Sequence, residues 1–419
     1  MRYSDFRVSC RLAQKQDLGY SFPMEYEELD LPAPGSRVAV GMSGGVDSTL
    51  TALLLKERGC QVTGVTMSMW ADGDLPGVDE AAMLAHMHDS CYGPGEKQDI
   101  DECRAFCGEQ GIPYHIIDVR EAYRREVLQY FKDEYRAGRT PNPCIRCNRF
   151  IKFGALLSGM SEVGIDYDYF CTGHYARVVR GREGIASAYG CSPCHYDEGQ
   201  DRPAQIAVSG DKGKDQAYFL YRIPSPVLEK VRFPLGTMTK KEVFAMARER
   251  GLKAASRAES QDFIPPEYFD ALFSDAPSRP GNFTDLDGKI LGQHRGIEHY
   301  TVGQRRGLGI SSKEPLYVAA INKESNTIVL GKDGDLFSSA LEATDMVWPG
   351  SYNPRCSFDA DVKIRLASPP VKARVTARED GNCTVIFSVR QRAVAPGQSV
   401  VFYRDGVIAG GGIIDKAIP

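Results

Sequence analysis

The glycine-rich stretch at positions 41–48, Gly-Met-Ser-Gly-Gly-Val-Asp-Ser, constrains this chain more than any other. It follows the short apolar run Arg37–Met42 and leads into helical spacing from Ser48 to Gly59. Glycines let the backbone approach an anion, and a helix N-terminus points free N–H groups and a positive dipole at it. The sequence therefore predicts a phosphate-binding loop between a strand and a helix.

Asp47 sets this loop apart from the ordinary NTPase loop, which ends in Gly-Lys-Ser or Gly-Lys-Thr. A carboxylate there would repel a phosphate unless a Mg²⁺ ion or a polarised water lay between them. The run SGGVDS, from Ser43 to Ser48, resembles the signature of the PP-loop ATP pyrophosphatases, which cleave ATP between the α and β phosphates and adenylate a substrate. The resemblance implies that ATP, with Mg²⁺, is bound by Gly41, Met42, Ser43, Gly44, Gly45, Val46, Asp47 and Ser48.

The segments that follow alternate between strand-like and helix-like patterns. Apolar and β-branched runs predict strands at Gln61–Met67, Tyr114–Val119 and Tyr167–Cys171. Helical spacing predicts helices over 48–59, 99–110, 121–135 and 148–163. This alternation is typical of an α/β fold with a parallel sheet covered on both faces. Ligands of such sheets bind beyond the carboxyl ends of the strands, so Met67 and Gly173 are expected beside the ATP. An ordinary core methionine explains Met67 equally well.

The C-terminal part has a different pattern. Short alternating runs recur from about residue 340, and Glu379-Asp380-Gly381 and Arg404-Asp405-Gly406 supply hairpin turns. Together they predict a small antiparallel β-barrel. A Gly-rich stretch, Pro280–Gly309, lies between the two parts. We expect an N-terminal extension over 1–35, a PP-loop domain over 36–272, a small middle domain over 273–338 and the β-barrel domain over 339–419.

Composition limits the class and the location of the protein. Hydrophobic residues make up 42% and charged residues 25% of the 419, which is ordinary for a globular protein. Because the net charge is −4, any nucleic-acid contact must come from a local patch. No run approaches the ~18 apolar residues of a membrane span, and residues 1–30 contain no apolar signal region. We therefore expect a cytoplasmic protein with no membrane partner, whose twelve cysteines are thiols or ligands.

A second motif, RTPNPCIRCN at positions 139–148, is termed here the cysteine loop. If a helix begins at Asn148, its dipole lowers the pKa of the Cys147 thiol and favours a thiolate that carries a persulfide. Residues 120–152 hold nine Lys or Arg against four Asp or Glu. Basic side chains beside such a loop indicate a phosphodiester backbone as partner. A solvated helix face explains the same charges equally well.

Six motifs resemble one family and occur in its order. SGGVDS, TPNPCIRCNRFIKFG, TGHYAR, GKDQAYFLY, YTVGQRRGLGI and PGQSVVFYRDGVIAGGGII are similar to segments of the bacterial and organellar tRNA 2-thiouridylases. The resemblance runs from about residue 36 to the last residue. It implies ATP-dependent 2-thiolation of the wobble uridine, position 34 of tRNA. ATP adenylates the C2 oxygen, and a sulfur nucleophile then displaces AMP. A uridine in a loop is accessible because its base can unstack and flip.

The resemblance also implies a role for particular residues. Asp47 matches the catalytic aspartate, and Cys147 matches the persulfide-forming nucleophile. Asn142, Pro143 and Cys144 match the segment beside the target base. The tRNA is expected to contact this segment and the middle domain, and also His174, Lys214, Asp215, Gln216, Arg365 and Gln398.

The chain departs from the family pattern at the second catalytic cysteine. The corresponding run, Glu259–Pro265, contains no cysteine, whereas Cys144 stands where many members have Asp. Cys144 and Cys147 can form a catalytic redox pair, as CxxC spacing allows. Alternatively, Cys91, Cys144 and Cys147 ligate a [4Fe–4S] cluster whose fourth iron holds the sulfide, as in some related tRNA thiolases. Cys171 is a second candidate for the third ligand.

Several questions stay open at the level of sequence. Cys191 and Cys194 form a second CxxC, which is interpreted as part of an exposed loop. The sulfur donor, a protein or sulfide, is not indicated. Two other functions remain as alternatives: a PP-loop enzyme that thiolates a different tRNA base, and a tRNA-binding homologue without catalysis. The intact Asp47 weighs against the latter.

Overall fold

The computed structural model describes residues 25–79, 83–84, 91–182, 189, 202–256, 263–264 and 266–419. Over these ranges the strands form three sheets, and none of the helices is long and apolar enough to cross a membrane. Three sequence-based expectations fall outside the described residues: most of the extension over 1–35, the pair Cys191 and Cys194, and most of the run 259–265.

A parallel sheet of five strands organises the N-terminal part. Strand β1 (Tyr26–Glu28) comes first in the chain but joins the C-terminal sheet. The parallel strands are β2 (Arg37–Gly41), β3 (Gln61–Ser68), β4 (Tyr114–Asp118), β5 (Tyr169–Cys171) and β8 (Val231–Arg232). Their order across the sheet is β4-β3-β2-β5-β8. The chain therefore changes direction at β2, which makes the space beyond the ends of β2 and β5 the expected ligand crevice.

Helices cover both faces of this sheet, and the side chains of β2 alternate between them. The regular helices are α1 (Val46–Glu57), α2 (Glu96–Glu109), α5 (Ala217–Leu220), α6 (Ser225–Leu228) and α7 (Lys240–Glu249). Val38 and Val40 pack in one apolar cluster with Leu55, whereas Ala39 belongs to the cluster on the other face. This period of two is what a doubly covered strand requires. The predicted α/β class is confirmed.

Two longer helices combine α-helical ends with a π-helical centre. Helix α3 spans 120–136 with its π-helical part at Arg124–Gln129, and α4 spans 143–162 with its π-helical part at Cys147–Ala155. The sequence-based start of α4 at Asn148 is wrong by five residues. Asn142 caps the helix by accepting a hydrogen bond from Ile145 N at 3.3 Å, and Pro143 occupies the first helical position. Both features are ordinary helix starts.

A small four-stranded sheet forms the middle of the chain. Its strands are β9 (Gly281–Thr284), β10 (Ile290–His294), β11 (Tyr317–Asn322) and β12 (Thr327–Gly331), in the order β10-β9-β12-β11. Phe283, Val318 and Ile328 are fully buried in its core. Ala393 and Ala395 from the C-terminal part share this core, so the two parts pack together.

The C-terminal sheet closes into the predicted antiparallel barrel. Its strands are β13 (Phe337–Val347), β14 (Ser357–Lys363), β15 (Val371–Ala377), β16 (Cys383–Arg392), β17 (Ser399–Arg404) and β18 (Val407–Ile418). Pairing of β17 with β18 closes the ring β18-β13-β16-β15-β14-β17. Asp405 and Gly406 have φ angles of 49° and 77°. These are the left-handed conformations that the Asp-Gly sequence predicts for a tight hairpin turn.

The C-terminal sheet also reaches back to the N-terminal part. Strands β6 (Arg177–Gly181) and β7 (Ala204–Ala207) extend it, with Val407 of β18 opposite Ala207, and β1 pairs with β6. The sequence indicated none of these three strands. Short 3₁₀ segments complete the described structure at Lys253–Ser256, Pro266–Phe273, Ile297–His299, Asp333–Leu336 and Pro349–Ser351.

Candidate active site

The glycine-rich loop lies in the crevice between the ends of β2 and β5. Strand β2 ends at Gly41, and Gly45 is the N-cap of α1. Ser48 Oγ accepts a hydrogen bond from Ser43 N at 3.2 Å and donates one to Gly45 O at 3.1 Å. Gly44 has a φ of 73°, which favours glycine. The serine hydroxyls therefore brace a loop that opens on a helix N-terminus, as a phosphate site requires.

Asp47 lies in the first turn of α1 and is held by two groups from distant parts of the chain. Tyr175 Oη donates to its Oδ1 at 2.8 Å, and Lys240 Nζ lies 2.9 Å from each of its two oxygens. The Asp47 side chain is 28% exposed and that of Lys240 is 10% exposed. The carboxylate is thus paired with Lys240 and still accessible from the crevice.

Gly173, which follows β5, packs directly on the first turn of α1. A Cβ at this position would lie 2.7 Å from the carbonyl carbon of Asp47 and 2.9 Å from Ser48 N. Only glycine allows this approach. The structure therefore brings Gly173 to the glycine-rich loop, whereas Met67 is half-buried at the end of β3 and packs against the large apolar cluster. The contact of either residue with ATP stays a prediction.

His174 connects the loop region to the cysteine-bearing helix. Its Nδ1 lies 2.7 Å from Thr172 Oγ1, and its Nε2 lies 3.4 Å from Lys152 Nζ. Burial, with the nearby Lys152, holds the pKa of His174 well below its usual value. The imidazole is therefore neutral. Because the Lys152 ammonium can only donate, His174 Nε2 accepts, and Nδ1 carries the proton that it donates to Thr172.

The cysteine loop is fastened to the C-terminal barrel. Thr140 N donates to Pro396 O at 2.7 Å, and Gln398 Nε2 donates to the carbonyls of Thr140 at 3.1 Å and Pro141 at 3.2 Å. Gly397, at a φ of 89°, would place a Cβ 2.7 Å from Thr140 N. The barrel therefore sets the position of the loop, and the side chain of Gln398 is engaged within the protein.

The early start of α4 changes the electrostatic expectation for the two cysteines. Cys144 is the second residue of α4, whereas Cys147 lies one turn further on, at the start of the π-helical part. Burial raises the pKa of the Cys147 thiol, opposed by the charge of Lys152. The prediction that the helix dipole lowers this pKa is wrong, because Cys147 is not at the N-terminus.

Three thiols lie near one another at this end of the sheet. Cys91 is an exposed residue, yet desolvation of its sulfur is the main cause of its raised pKa, followed by the proximity of Cys144 and Cys147. Its Sγ also lies 3.9 Å from Phe263 O. Within the described ranges, however, no three His, Cys, Asp or Glu side chains are placed to hold a metal ion. A [4Fe–4S] cluster binds its cysteines through different irons, so the cluster ligated by Cys91, Cys144 and Cys147 stays a prediction. Cys171 is fully buried in another apolar cluster.

The basic character of residues 120–152 is concentrated near the start of α4. Arg146 lies between the rings of Tyr130 and Phe150, at 4.3 and 4.1 Å, and pairs with Glu126 at 2.9 Å. Burial and the proximity of Arg222 and Arg146 lower the pKa of Arg149. Clustered guanidinium groups with repelling charges are a favourable place for a phosphate.

Other arginines of this segment are already paired with carboxylates. Arg124 pairs with Asp74 at 2.7 Å, and Arg136 pairs with Asp275 at 2.6 Å. The local excess of positive charge in the sequence is therefore not a continuous strip of unpaired cations.

The remaining predicted tRNA positions differ in how available their side chains are. Lys214 is exposed, whereas Asp215 accepts from Ser209 N at 2.9 Å and Gln216 accepts from Tyr175 N at 2.8 Å. Arg365 donates to Val302 O and Ala393 O, at 3.1 and 2.9 Å. Asp215, Gln216 and Arg365 thus hold segments of the protein together. Their contact with tRNA stays a prediction.

Three residues of the site escaped the sequence analysis: Tyr175, Lys152 and Lys240. Tyr175 directly follows the TGH segment, so its position near the glycine-rich loop could have been predicted from the sequence. Thr239 and Glu242 form a capping box that predicts a helix beginning at Lys240. No local signal indicates that Lys240 contacts Asp47, from which it is separated by 193 positions in the sequence.

Comparison with known proteins shows the family of the chain. Three protein-family models match the chain: the tRNA methyl transferase HUP domain over residues 36–265, the tRNA methyl transferase PRC-barrel domain over 270–332 and the Aminomethyltransferase beta-barrel domain over 338–414. The tRNA-specific 2-thiouridylase MnmA of Endomicrobium trichonymphae is 40% identical over 380 residues, 90% of this chain and 98% of that protein. This chain belongs to the tRNA-specific 2-thiouridylase family. The family expected from the six motifs is thereby confirmed.

A second relative shows the same extent of similarity. The tRNA-specific 2-thiouridylase MnmA of Roseiflexus sp. (strain RS-1) is 40% identical over 386 residues, 91% of this chain and 100% of that protein. Among solved structures, the U34-tRNA thiolase NcsA from Methanococcus maripaludis with its [4Fe-4S] cluster is 20% identical, with a TM-score of 0.30. The match covers 57% of this chain and 64% of that one. So distant a likeness carries no argument about the site.

Proposed function

We propose that this protein is an ATP-dependent tRNA-uridine 2-sulfurtransferase that acts on the wobble uridine, position 34. One observation carries the proposal: the glycine-rich loop and the cysteine pair are joined by a short chain of contacts. Gly173 packs on Asp47, its neighbour His174 contacts Lys152, and the charge of Lys152 acts on Cys147. An adenylated base in the crevice would therefore lie between the nucleotide and the sulfur.

Adenylation would take place at the glycine-rich loop. The backbone N–H groups at the start of α1 and the hydroxyl of Ser43 are suited to bind the phosphates of ATP. Asp47 would hold Mg²⁺, which one carboxylate together with substrate phosphates commonly binds, and the ion would supply charge neutralisation for the leaving pyrophosphate. The C2 oxygen of the uridine attacks the α-phosphorus, and the bond to the β-phosphate oxygen breaks.

Sulfur transfer would use the CxxC pair of α4. A donor protein with a persulfide, or sulfide with an oxidant, places a sulfane sulfur on Cys147. This terminal sulfur attacks C2 of the adenylated uridine, and AMP leaves with its electron pair. The thiolate of Cys144 then attacks Cys147 Sγ, which releases the thiocarbonyl of the base and leaves a Cys144–Cys147 disulfide. A dithiol reductant restores both thiols with two electrons. Residues three apart on a helix lie on one face, which permits this exchange.

A [4Fe–4S] cluster is the second candidate as sulfur carrier. The mutual proximity of Cys91, Cys144 and Cys147 favours it. Residues 259–265 lack the second catalytic cysteine that is usual in the family. In both routes, cysteines from elsewhere in the chain take its place.

The product balance tests this proposal. A tRNA transcript with uridine at position 34 is incubated with Mg²⁺, ATP and a persulfide donor. We expect one AMP and one pyrophosphate for each thiolated uridine, and neither product from Asp47→Ala, which should still bind tRNA. ADP formation, or thiolation of tRNA without AMP, would overturn the adenylation step. An exposed control, Asp101→Ala, should match the unchanged protein.

A further inference from the structure

The backbone of Lys240 is held in place, whereas its side-chain ammonium can change position. Lys240 begins α7, and the capping box of Thr239 and Glu242 fixes that helix start. Its backbone N donates to Asp211 Oδ2 at 2.9 Å. From this anchored backbone the four-carbon side chain reaches Asp47. A lysine side chain on a fixed backbone can redirect its charge by rotation alone.

The surroundings of this ammonium require an anionic partner at all times. Its Nζ lies 4.9 Å from the ring centre of Phe244 and 5.5 Å from that of Tyr175, and the side chain is 10% exposed. A charge so far removed from water is costly unless it is paired. In the described structure Asp47 supplies the pairing, with both of its oxygens 2.9 Å from Nζ.

Occupation of Asp47 by Mg²⁺ would take this partner away. A divalent ion on the Asp47 oxygens repels the ammonium, which can then turn to another anion that its side chain reaches by rotation. The glycine-rich loop that precedes Asp47 opens toward phosphates at that place. We propose that Lys240 is a triphosphate ligand, whose ammonium moves from Asp47 to the β- and γ-phosphates of ATP and stabilises the departing pyrophosphate. The inference rests on the proposed use of ATP and adds a residue that binds the β- and γ-phosphates.

The affinities of the full-length protein for ATP and for AMP distinguish a phosphate-binding role of Lys240 from a structural role. Calorimetric titrations with Mg²⁺ would compare Lys240→Met with the unchanged protein, and Lys241→Met would serve as an exposed control beside it. We expect the dissociation constant for ATP to rise at least tenfold in Lys240→Met, with that for AMP within twofold. AMP lacks the β- and γ-phosphates, so it also reports an intact site. Lys241→Met should bind both nucleotides normally.

Three results would overturn the inference. Equal weakening of ATP and AMP would make Lys240 a structural residue, and unchanged ATP affinity would leave it a counter-ion of Asp47 only. If Lys240→Met does not fold, Asp47→Asn and Asp47→Asn/Lys240→Met are compared instead, and equal ATP affinity in these two would also contradict the role. If the unchanged protein binds AMP and ATP too weakly to measure, the proposed use of ATP fails, which is a distinct result.

Discussion

The side-chain amide of Gln398 donates a hydrogen bond to the backbone carbonyl of Pro141 over 3.2 Å. Gln398 directly precedes β17 of the C-terminal barrel, and Pro141 lies in the cysteine loop. The same nitrogen donates to Thr140 O at 3.1 Å. The barrel, which family resemblance assigns to RNA binding, therefore also determines where Cys144 and Cys147 lie.

Removal of this amide should affect turnover more than tRNA affinity. Gln398→Ala deletes two hydrogen bonds, each worth about 0.5–1.5 kcal/mol, and releases the base of the cysteine loop. We expect kcat for thiolation to fall severalfold with KM for tRNA within twofold. Steady-state kinetics checks this, with Gln391→Ala as control, since that amide donates to the carbonyls of Val389 and Arg390 in its own strand. A large rise in KM at unchanged kcat would show direct RNA contact instead.

Substitution of each of the two cysteines of α4 should block the reaction at a different step. Cys147→Ser cannot carry the sulfane sulfur, so thiolation and AMP release should be lost while pyrophosphate still forms. Cys144→Ser lacks the thiolate that resolves the intermediate, so tRNA should accumulate in a disulfide-linked adduct with Cys147. Non-reducing gels with labelled tRNA detect the adduct, and dithiothreitol should release it. Cys60→Ser, in a separate apolar cluster, is the control. Full thiolation by Cys147→Ser would refute its assigned role.

The metal content of the protein distinguishes the two sulfur routes. The persulfide route predicts a colourless protein with no stoichiometric iron after purification without oxygen. Iron and acid-labile sulfide assays with a visible spectrum check this. About four irons per chain, the content of one [4Fe–4S] cluster, would contradict it. In that case Cys91→Ala, Cys144→Ala and Cys147→Ala should each lose the iron, whereas Cys171→Ala, whose sulfur is buried elsewhere, should keep it.

Acid should destabilise the fold through His174. Burial beside Lys152 holds the folded-state pKa of His174 well below its usual value, so the unfolded chain takes up the proton first as the pH falls. The free energy of unfolding should therefore decrease below about pH 6.5, by at most ~1.4 kcal/mol per pH unit for this one proton. Urea unfolding between pH 7.5 and 5.5 measures the slope. His174→Gln should flatten it, and the exposed His115→Gln should not. Equal slopes in both variants would contradict the assignment.

Local patterns predicted the parts of the fold that depend on neighbouring residues. The glycine-rich loop, the alternation of β3, β4 and β5 with helices, and the Asp405-Gly406 turn all follow from spacing and turn chemistry. The start of α4 did not, because apolar spacing begins near Asn148 while the capping Asn142 and Pro143 lie in a segment that resembles a rigid loop. That five-residue error placed Cys147 at a helix N-terminus, and local spacing gave no sign of the burial that raises the pKa of its thiol.

Contacts between distant segments were not predictable from one sequence. The ion pair of Asp47 with Lys240 and the hydrogen bonds of Gln398 to the cysteine loop join residues more than 190 positions apart. Strands β1, β6 and β7 join a barrel whose other strands begin at residue 337. Each of these contacts depends on tertiary packing, which residue type and spacing do not encode locally.

The identity of the modified nucleoside decides whether this protein thiolates C2 of the wobble uridine. A tRNA transcript with a single isotope-labelled uridine at position 34 would be treated with the protein, Mg²⁺, ATP and a persulfide donor, then digested and analysed by mass spectrometry with synthetic standards. We expect labelled 2-thiouridine that depends on ATP and is absent with Asp47→Ala. Labelled 4-thiouridine, or thiolation only at unlabelled uridines, would contradict it.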